Sequence, residues 1–170
     1  MRILCYSFEP FSYLRTNVSS LVAQEVVSSL SAHTCSHLVL PVHFDSWSIL
    51  KERISSFVPD MIIGFGVANN SLVRFERIAL NYMRRDDGTV QRIIPGTVVA
   101  RESSCSVFEQ NILDNESEES FFADLYVCNY TYFHCLGIQS NSFFVHIPVF
   151  LSDEKKSVLV KKIVALIKDL

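Results

Sequence analysis

The chain has 170 residues, of which 49% are hydrophobic and 19% charged, a balance that indicates a globular domain with a hydrophobic core and argues against disorder. Its formal net charge of −3 is scattered without a basic stripe, so nucleic acid is not an expected partner. No run approaches the roughly 18 apolar residues of a membrane span, and the N-terminal stretch MRILCYSFEP lacks the features of a secretory signal, so we expect a cytoplasmic chain.

The first half of the chain alternates predicted strands with predicted helices. Asn17 and Asp45 are residue types that cap helices, and apolar residues follow each of them at intervals of three and four. Pro41 confines the second strand to a sheet edge or ends it. The predicted elements are a strand over residues 2–6, a helix from Asn17 to about residue 30, a strand over 37–42, a helix from Asp45 to 59 and a strand over 60–66.

The second half of the chain is less regular. Ser152 is expected to cap a closing helix that carries acidic residues in its first turn and lysines along its length. Before it, the pattern predicts a helix or a strand over 76–82, a charged turn over 83–88, a strand broken by Pro95 and Gly96 over 93–100, a short helix over 106–113 and a solvated acidic loop over 115–120.

Strands that alternate with helices predict βαβ units, and therefore the α/β class, with residues 1–170 forming a single domain. In open sheets of this class, functional sites gather at the carboxyl ends of the strands. The Phe-Glu-Pro-Phe turn at residues 8–11, the residues after Gly66 and the region of Cys128 all satisfy that rule.

Cys128 and His146 form a candidate catalytic pair. The chain has five cysteines without a C-x-x-C pair, which argues against a disulfide framework and a structural zinc site. Cys128 follows an apolar run and opens a helical pattern, where free amides and the helix dipole favour the thiolate. His146, on the next apolar run, could take the thiol proton and return it to a leaving amine. The spacing does not choose an orienting carboxylate among 18 acidic residues, and two buried core residues remain the alternative interpretation.

Six segments, in order along almost the whole chain, resemble motifs of one peptidase family. They are RILCYSFEPF, LVLPVHFD, PDMIIGFG, VRFERIALN, SFFADLYVCN and FFVHIP. They are similar to motifs of the pyroglutamyl peptidase I, or pyrrolidone carboxyl peptidase, family of cysteine peptidases. The last three resemble the segments that carry the family's catalytic glutamate, cysteine and histidine, so the resemblance is specific.

The resemblance implies a fold, a reaction and a set of site residues. The fold is a single α/β domain of the phosphorylase/hydrolase-like type, with a mixed, mostly parallel sheet flanked by helices on both faces. The reaction is removal of an N-terminal pyroglutamyl residue from a peptide substrate without a cofactor, by an enzyme that often forms a homo-oligomer. The implied catalytic residues are Cys128 as nucleophile, His146 as general base and acid, and Glu76 as orienting carboxylate; the implied substrate-binding residues are Phe8, Phe11, Val67, Tyr126, Val127, Arg84 and Arg85.

Several implied roles have an ordinary structural alternative. Glu76 could instead form a surface ion pair with Arg74 or Arg77, and the two phenylalanines Phe8 and Phe11 could be simple core residues. A metal site could be sought at residues 134–135 or 35–37, but these pairs lack the ligand spacing of a closed site. A serine hydrolase would need a G-x-S-x-G elbow, which the sequence lacks.

The departures from the family pattern cluster around substrate recognition. Val67 stands where the family has glutamine, Asn69 and Asn70 replace a glycine pair, and Arg74 replaces a serine or threonine. Asp124 replaces the glycine of an A-G pair before the nucleophile. A buried carboxylate there would weaken the thiolate, or it could attract a cationic group such as a free N-terminal amine. The sequence therefore predicts a retained triad with altered specificity, and a catalytically inactive binding protein is the alternative.

Overall fold

The fold is built around a mixed sheet, and the computed structural model describes residues 1–11, 15–110 and 114–170. The strands are β1 (Arg2–Phe8), β2 (Thr34–Leu40), β3 (Met61–Ala68), β4 (Val73–Glu76), β5 (Ile78–Leu80), β6 (Met83–Arg84), β7 (Val90–Gln91), β8 (Ala100–Glu102), β9 (Ser117–Ser120) and β10 (Ser142–Pro148). The helices are α1 (Val18–Ser29), α2 (Ser46–Phe57), α3 (Val127–Leu136) and α4 (Asp153–Lys168), with a 3₁₀ turn at Ser106–Glu109.

The main sheet has the strand order β2-β1-β3-β10-β4-β9. Strands β2, β1, β3 and β10 run parallel to one another, whereas β4 is antiparallel to β10 and β9 is parallel to β4. Two short antiparallel pairs, β5 with β8 and β6 with β7, follow β4 outside this sheet. The predicted α/β class with a mixed, mostly parallel sheet is confirmed.

Helices cover both faces of the sheet because the central strands are apolar on both faces. Ile3 of β1 packs in the cluster that contains residues of α1 and α4, such as Val26 and Ile163. The next residue, Leu4, points to the opposite cluster, which contains Leu50 of α2 and residues of α3. Successive strand residues thus serve two separate core layers.

The helix starts follow the predicted capping chemistry in two of three cases. The Asn17 side chain accepts a hydrogen bond from the Ser19 amide at 3.1 Å, and the Ser152 side chain accepts one from the Lys155 amide at 3.3 Å. Asp45 stands at the N-cap position of α2, but its backbone angles are helical, φ −66° and ψ −15°, and its side chain accepts no capping hydrogen bond. The predicted helices nevertheless form in these places.

The predicted acidic loop over residues 115–120 is wrong, because Ser117–Ser120 form the edge strand β9. Two ion pairs hold this acidic strand against β4. Arg74 Nε lies 2.9 Å from Glu118 Oε1, and Arg77 Nε lies 2.8 Å from Glu119 Oε1. Charged side chains are common on edge strands, where one side of the strand faces water.

Three other predictions in the second half change in detail. The ambiguous stretch 76–82 is strand, shared between β4 and β5, and most of 93–100 forms turns that contain Gly96 at φ 76°. The predicted helix over 106–113 is a 3₁₀ turn at Ser106–Glu109, and residues 111–113 lie outside the described residues. Within the described part of the chain, no helix is long and apolar enough to cross a membrane.

Candidate active site

The sheet register brings His146 and Glu76 together. Both lie on neighbouring antiparallel strands, where Glu76 of β4 stands opposite Phe144 of β10, two residues before the histidine on the same face. His146 Nδ1 lies 2.8 Å from Glu76 Oε1, and the two side chains are 4% and 0% exposed. A carboxylate in this position accepts a hydrogen bond from Nδ1–H and fixes the tautomer of the imidazole.

Cys128 reaches the same imidazole from helix α3, of which it is the second residue. Its side chain interacts with the His146 ring and favours the protonated imidazole, and because Nδ1 faces the glutamate, Nε2 is the ring nitrogen available to the thiol. The cysteine is half-buried. The apolar run before the cysteine does not form a strand, because residues 121–126 are a loop between β9 and α3.

Gly66 makes room for the thiol beneath the helix. It lies on β3 directly beside His146 in the parallel register of β10. A Cβ atom on Gly66 would stand 2.9 Å from Cys128 Sγ and 2.9 Å from Phe144 Cζ, closer than carbon atoms pack. The glycine at the end of the PDMIIGFG segment is thus required by the close approach of the sulfur.

The environment of His146 favours its protonated form. Burial by itself would lower the pKa of His146, but the hydrogen bonds to Cys128 and Glu76, together with the negative charge those groups can carry, raise it above the ordinary value of 6.5. An imidazolium between a thiolate and a carboxylate is the arrangement that a cysteine nucleophile needs.

A cavity of about 630 Å³ opens onto Cys128 and His146. Six of the seven predicted substrate-binding residues line it, and Arg85 does not, since its Nε donates to Gln91 Oε1 at 3.0 Å on the surface. The lining side chains are Phe8, Phe11, Asn17, Val42, His43, Phe44, Val67, Ala68, Asn69, Arg84, Asp86, Ala123, Asp124, Tyr126, Val127 and Val149, in addition to the cysteine and histidine.

Asp124 explains why the family keeps glycine at its position. Its φ of 58° lies in the left-handed region, which glycine adopts without steric cost and which aspartate tolerates better than most residues. Its side chain is exposed at the cavity, so of the two effects considered for Asp124, a buried carboxylate that weakens the thiolate does not apply, and attraction of a cationic group stays open. The charge faces the space in which a substrate would lie.

The other departures from the family pattern have different surroundings. Val67 and Asn69 line the cavity, whereas the Asn70 amide donates to the Leu72 carbonyl at 2.5 Å. Arg74 pairs with Glu118 of the edge strand. The Glu76 carboxylate contacts His146 instead, so it does not form the surface ion pair considered for it.

Two buried polar residues of α3 contact the chain segment around Glu76, and sequence reasoning did not single them out. The Asn129 side chain bonds the backbone of Leu80 and Tyr82, and the Tyr132 hydroxyl donates to the Glu76 carbonyl at 2.8 Å. The feature of the sequence that could point to Asn129 is its position directly after the cysteine, in the C-N pair of the nucleophile motif.

The histidine–cysteine pairs considered for a metal do not form a ligand set. The His134 ring stacks on Trp47 with centroids 4.6 Å apart, and burial, followed by the charges of Arg101 and Lys51, lowers the pKa of His134 to about 4. Across residues 1–11, 15–110 and 114–170, no three histidine, cysteine or acidic side chains gather as metal ligands would.

The pyroglutamyl peptidase family model matches residues 1–164. The chain belongs to the pyroglutamyl peptidase family. A pyrrolidone-carboxylate peptidase from Lactobacillus acidophilus is 26% identical over 196 aligned positions, which cover 99% of this chain and 98% of that protein. The predicted hydrolase class, a cysteine peptidase of the pyroglutamyl peptidase I type, is confirmed by this membership.

Solved structures of pyroglutamyl peptidases share the fold. The pyrrolidone carboxyl peptidase from Thermococcus litoralis superposes with a TM-score of 0.79 at 20% identity, covering 98% of this chain and 91% of that one. A mutant of the pyrrolidone carboxyl peptidase from Pyrococcus furiosus gives a TM-score of 0.80 at 23% identity, covering 99% and 97%. At these identities the likeness shows the α/β fold.

Proposed function

We propose that this family member removes an N-terminal pyroglutamyl residue, or a closely related residue, from peptides with Cys128, His146 and Glu76 as its catalytic triad. The observation that supports this most is the buried 2.8 Å contact between His146 Nδ1 and Glu76 Oε1, in a cavity that His146 and Cys128 line together. Glu76 orients the imidazole ring, so it contributes to the reaction through His146 and not through contact with the substrate.

The reaction then proceeds through a thioester. His146 holds the proton of the Cys128 thiol, and the sulfur attacks the carbonyl carbon of the pyroglutamyl residue to form a tetrahedral oxyanion. The first turn of α3 carries the nucleophile, and the amides at the start of a helix have no partners within it, so they are donors suited to that oxyanion. The intermediate collapses as the C–N bond breaks, and His146 gives its proton to the leaving amine.

Water completes the cycle. His146, now neutral, takes a proton from a water molecule that attacks the thioester carbonyl. The second tetrahedral intermediate breaks at the C–S bond, which releases the acid and leaves the Cys128 thiolate beside the protonated His146.

The cavity walls suit a neutral ring. Phe8 and Val127 are almost fully buried side chains, and Val67 and Phe11 add apolar surface beside them. An apolar pocket with a few polar groups is the usual environment for a small uncharged ligand. Arg84, which lies 5.9 Å from the Tyr126 ring centroid, brings a positive charge to the same opening.

A free N-terminal amine is the second candidate for the group recognised. The observation that favours it is the exposed Asp124 carboxylate lining the cavity, at a position where glycine in the family carries no charge. Val67 moreover lacks the amide that the family's glutamine supplies at that position. We therefore propose that specificity is shifted from the lactam toward amines, and that pyroglutamyl turnover is weak.

The test compares two chromogenic amides, one with a pyroglutamyl group and one with a glutaminyl group, on wild type and Cys128→Ala. We expect thiol-dependent hydrolysis, absent from Cys128→Ala, with the glutaminyl amide as the better substrate. Robust pyroglutamyl turnover alone would contradict the shift in specificity. Absence of turnover of both, with Cys128 resistant to iodoacetamide at neutral pH, would favour the binding-protein alternative.

The assembly and location are further parts of the proposal. The family resemblance supports a homo-oligomer, which light scattering of the purified chain would measure. The five cysteines are free, which suits the reducing cytoplasm. The net charge of −3 supports peptides rather than nucleic acid as partners.

A further inference from the structure

The Asn129 side chain is fully buried and bonds the backbone of the segment that follows Glu76. Its Oδ1 accepts from the Leu80 amide at 2.8 Å, and its Nδ2 donates to the carbonyls of Leu80 and Tyr82, each at 2.8 Å. Both amide protons and the amide oxygen are therefore used. The side chain therefore makes hydrogen bonds to the backbone of this segment like those that a neighbouring strand would make.

Further bonds join the same two parts of the chain on either side of Asn129. Before the nucleophile, the Leu125 carbonyl accepts from the Arg84 amide at 2.7 Å. After it, the Tyr132 hydroxyl donates to the Glu76 carbonyl at 2.8 Å. Cys128 thus lies on a stretch attached, from residue 125 to 132, to the segment that begins at the triad carboxylate.

We propose that Asn129 is a positioning residue that holds Cys128 beside His146 by anchoring the first turn of α3 to Leu80 and Tyr82. This inference rests on the proposed function, because it assigns Asn129 a role in the alignment of that triad. Asn129 acts through Cys128 and does not line the cavity that would hold the substrate.

The geometry explains why a side chain is needed for this attachment. Helix α3 has 10 residues, and its first turn carries the nucleophile above Gly66, where the sulfur fits with little room to spare. Loss of the amide leaves the Leu80 amide and two carbonyls without these partners in a buried place, and the first turn must move or admit water. A displacement of about 1 Å at a reacting atom is enough to lower a rate by roughly 100-fold.

The chain offers a matched control in Asn81. It is also a fully buried asparagine that bonds backbone through its side chain, accepting from the Ile94 amide at 2.8 Å and donating to the carbonyls of Ile94 and Val98 at 2.8 Å. Its partners belong to the turns over residues 93–99 rather than to the helix of the nucleophile. Substitution of either asparagine removes the same chemical group from the interior.

The experiment compares Asn129→Ala with Asn81→Ala in the full chain. It measures kcat and KM on the better of the two amides, the melting temperature, and the rate of Cys128 alkylation by iodoacetamide as a function of pH. For Asn129→Ala we expect kcat to fall by about 10- to 100-fold with KM within about twofold, and the midpoint of alkylation to move to higher pH. Asn81→Ala leaves the bonds between Asn129 and its neighbours Leu80 and Tyr82 in place, so it should lower the melting temperature but move the alkylation midpoint less than Asn129→Ala does.

Equal losses of kcat in the two variants, with the same alkylation profile as wild type, would overturn the positioning role. If Asn129→Ala does not fold, Asn129→Ser, which keeps a short polar side chain but cannot make the same bonds to Leu80 and Tyr82, is measured in its place. The same shift in alkylation then supports the proposal, and an unchanged profile contradicts it. If wild type hydrolyses neither amide, the proposed function fails, but the alkylation profiles still report whether Asn129 positions Cys128.

Discussion

The carboxylate of Glu76 is buried among apolar side chains, where an ionised group is costly unless a partner compensates for the lost hydration. Its Oε1 has that partner in His146 Nδ1 at 2.8 Å, and the ring in turn bonds the Cys128 side chain. The charges of the three residues therefore depend on one another, and substitutions at each should change both activity and its dependence on pH.

Glu76→Gln should lower kcat by about 100-fold or more, because an amide stabilises the imidazolium poorly and can hold the ring in the wrong tautomer. Steady-state kinetics on the turned-over amide would measure this loss. Glu119→Gln is the control, since Glu119 pairs with Arg77 at the sheet edge and its loss should change kcat by less than about twofold. Similar kcat values in the two variants would contradict the role of Glu76.

The raised pKa of His146 also predicts how stability varies with pH. A histidine whose pKa is higher in the folded chain stabilises it fully below the ordinary value of 6.5, and this contribution is lost as the pH rises through the raised value. The difference in free energy of unfolding between wild type and Glu76→Gln should be largest below pH 6.5 and shrink at alkaline pH. Urea titrations at several pH values would measure it, and a constant difference would argue against an ionised pair.

Asp124 can be tested separately for its backbone angle and its charge. Asp124→Gly should raise stability slightly or leave it unchanged, and Asp124→Val should lower it by about 1–2 kcal/mol, because a β-branched residue fits φ 58° badly. Asp124→Asn keeps the tolerated backbone angle without the charge, so it should reduce turnover of the glutaminyl amide relative to the pyroglutamyl amide. An unchanged ratio of kcat/KM values would exclude Asp124 from amine recognition.

At the scale of secondary-structure elements, the site depends on how closely α3 approaches the sheet. The helix places Cys128 over β3, and Gly66 is where a side chain would collide with the sulfur. Helical periodicity predicts α3 and apolar content predicts β3. Neither pattern predicts how far apart the two elements lie.

Gly66→Ala should therefore displace the nucleophile. We expect kcat to fall by about tenfold or more, with a loss of stability of about 1–3 kcal/mol from overpacking. Gly64→Ala is the matched control, because its Cβ would meet Phe144 and Tyr6, at 2.3 and 2.6 Å, rather than the thiol. The loss of kcat in each variant is compared with its loss of unfolding free energy. If this ratio is the same for Gly64→Ala and Gly66→Ala, the contact between residue 66 and Cys128 has no special importance for catalysis.

Local chemistry predicts some elements well and others poorly, for physical reasons. The caps at Asn17 and Ser152 act within three residues, so the sequence is enough to predict them. Strand β9 depends on Arg74 and Arg77, which lie about forty residues earlier in the chain, and an acidic stretch without those partners looks like a loop. Contacts between residues so far apart in the chain leave no local pattern in the sequence.

The site residues divide in the same way. The chemistry of a cysteine at a helix start indicated Cys128, and an imidazole on the following strand indicated His146. Glu76 was reached only through the family motif, because the antiparallel pairing of β4 with β10 that brings it to the ring is a long-range feature. No local pattern predicts the role of Asn129, because its partners, Leu80 and Tyr82, come close to it only in the folded chain.

At the scale of the whole molecule, the two core layers are separated by the sheet, and the site belongs to only one of them. Cys128 packs against the layer that contains α2 and α3, whereas α1 and α4 cover the opposite face.

Ile163→Ala, in the layer away from the site, should lower the free energy of unfolding by about 2–5 kcal/mol through loss of a buried side chain and the cavity left behind. The kcat measured well below the melting temperature should stay within about twofold of wild type, since the sheet lies between this helix and the triad. Chemical denaturation and initial rates would measure both quantities, and a parallel loss of kcat would show that the two layers are coupled.

The most direct test of the catalytic triad is the order in which the five cysteines react with a limiting amount of iodoacetamide at neutral pH. Burial raises the pKa of the thiols of Cys5, Cys35, Cys105 and Cys135, whereas the Cys128 side chain bonds a protonatable histidine in an open cavity. Peptide mapping should therefore find Cys128 modified first, with amide hydrolysis lost in proportion. Modification of another cysteine first, or full activity after Cys128 is alkylated, would contradict the proposed mechanism.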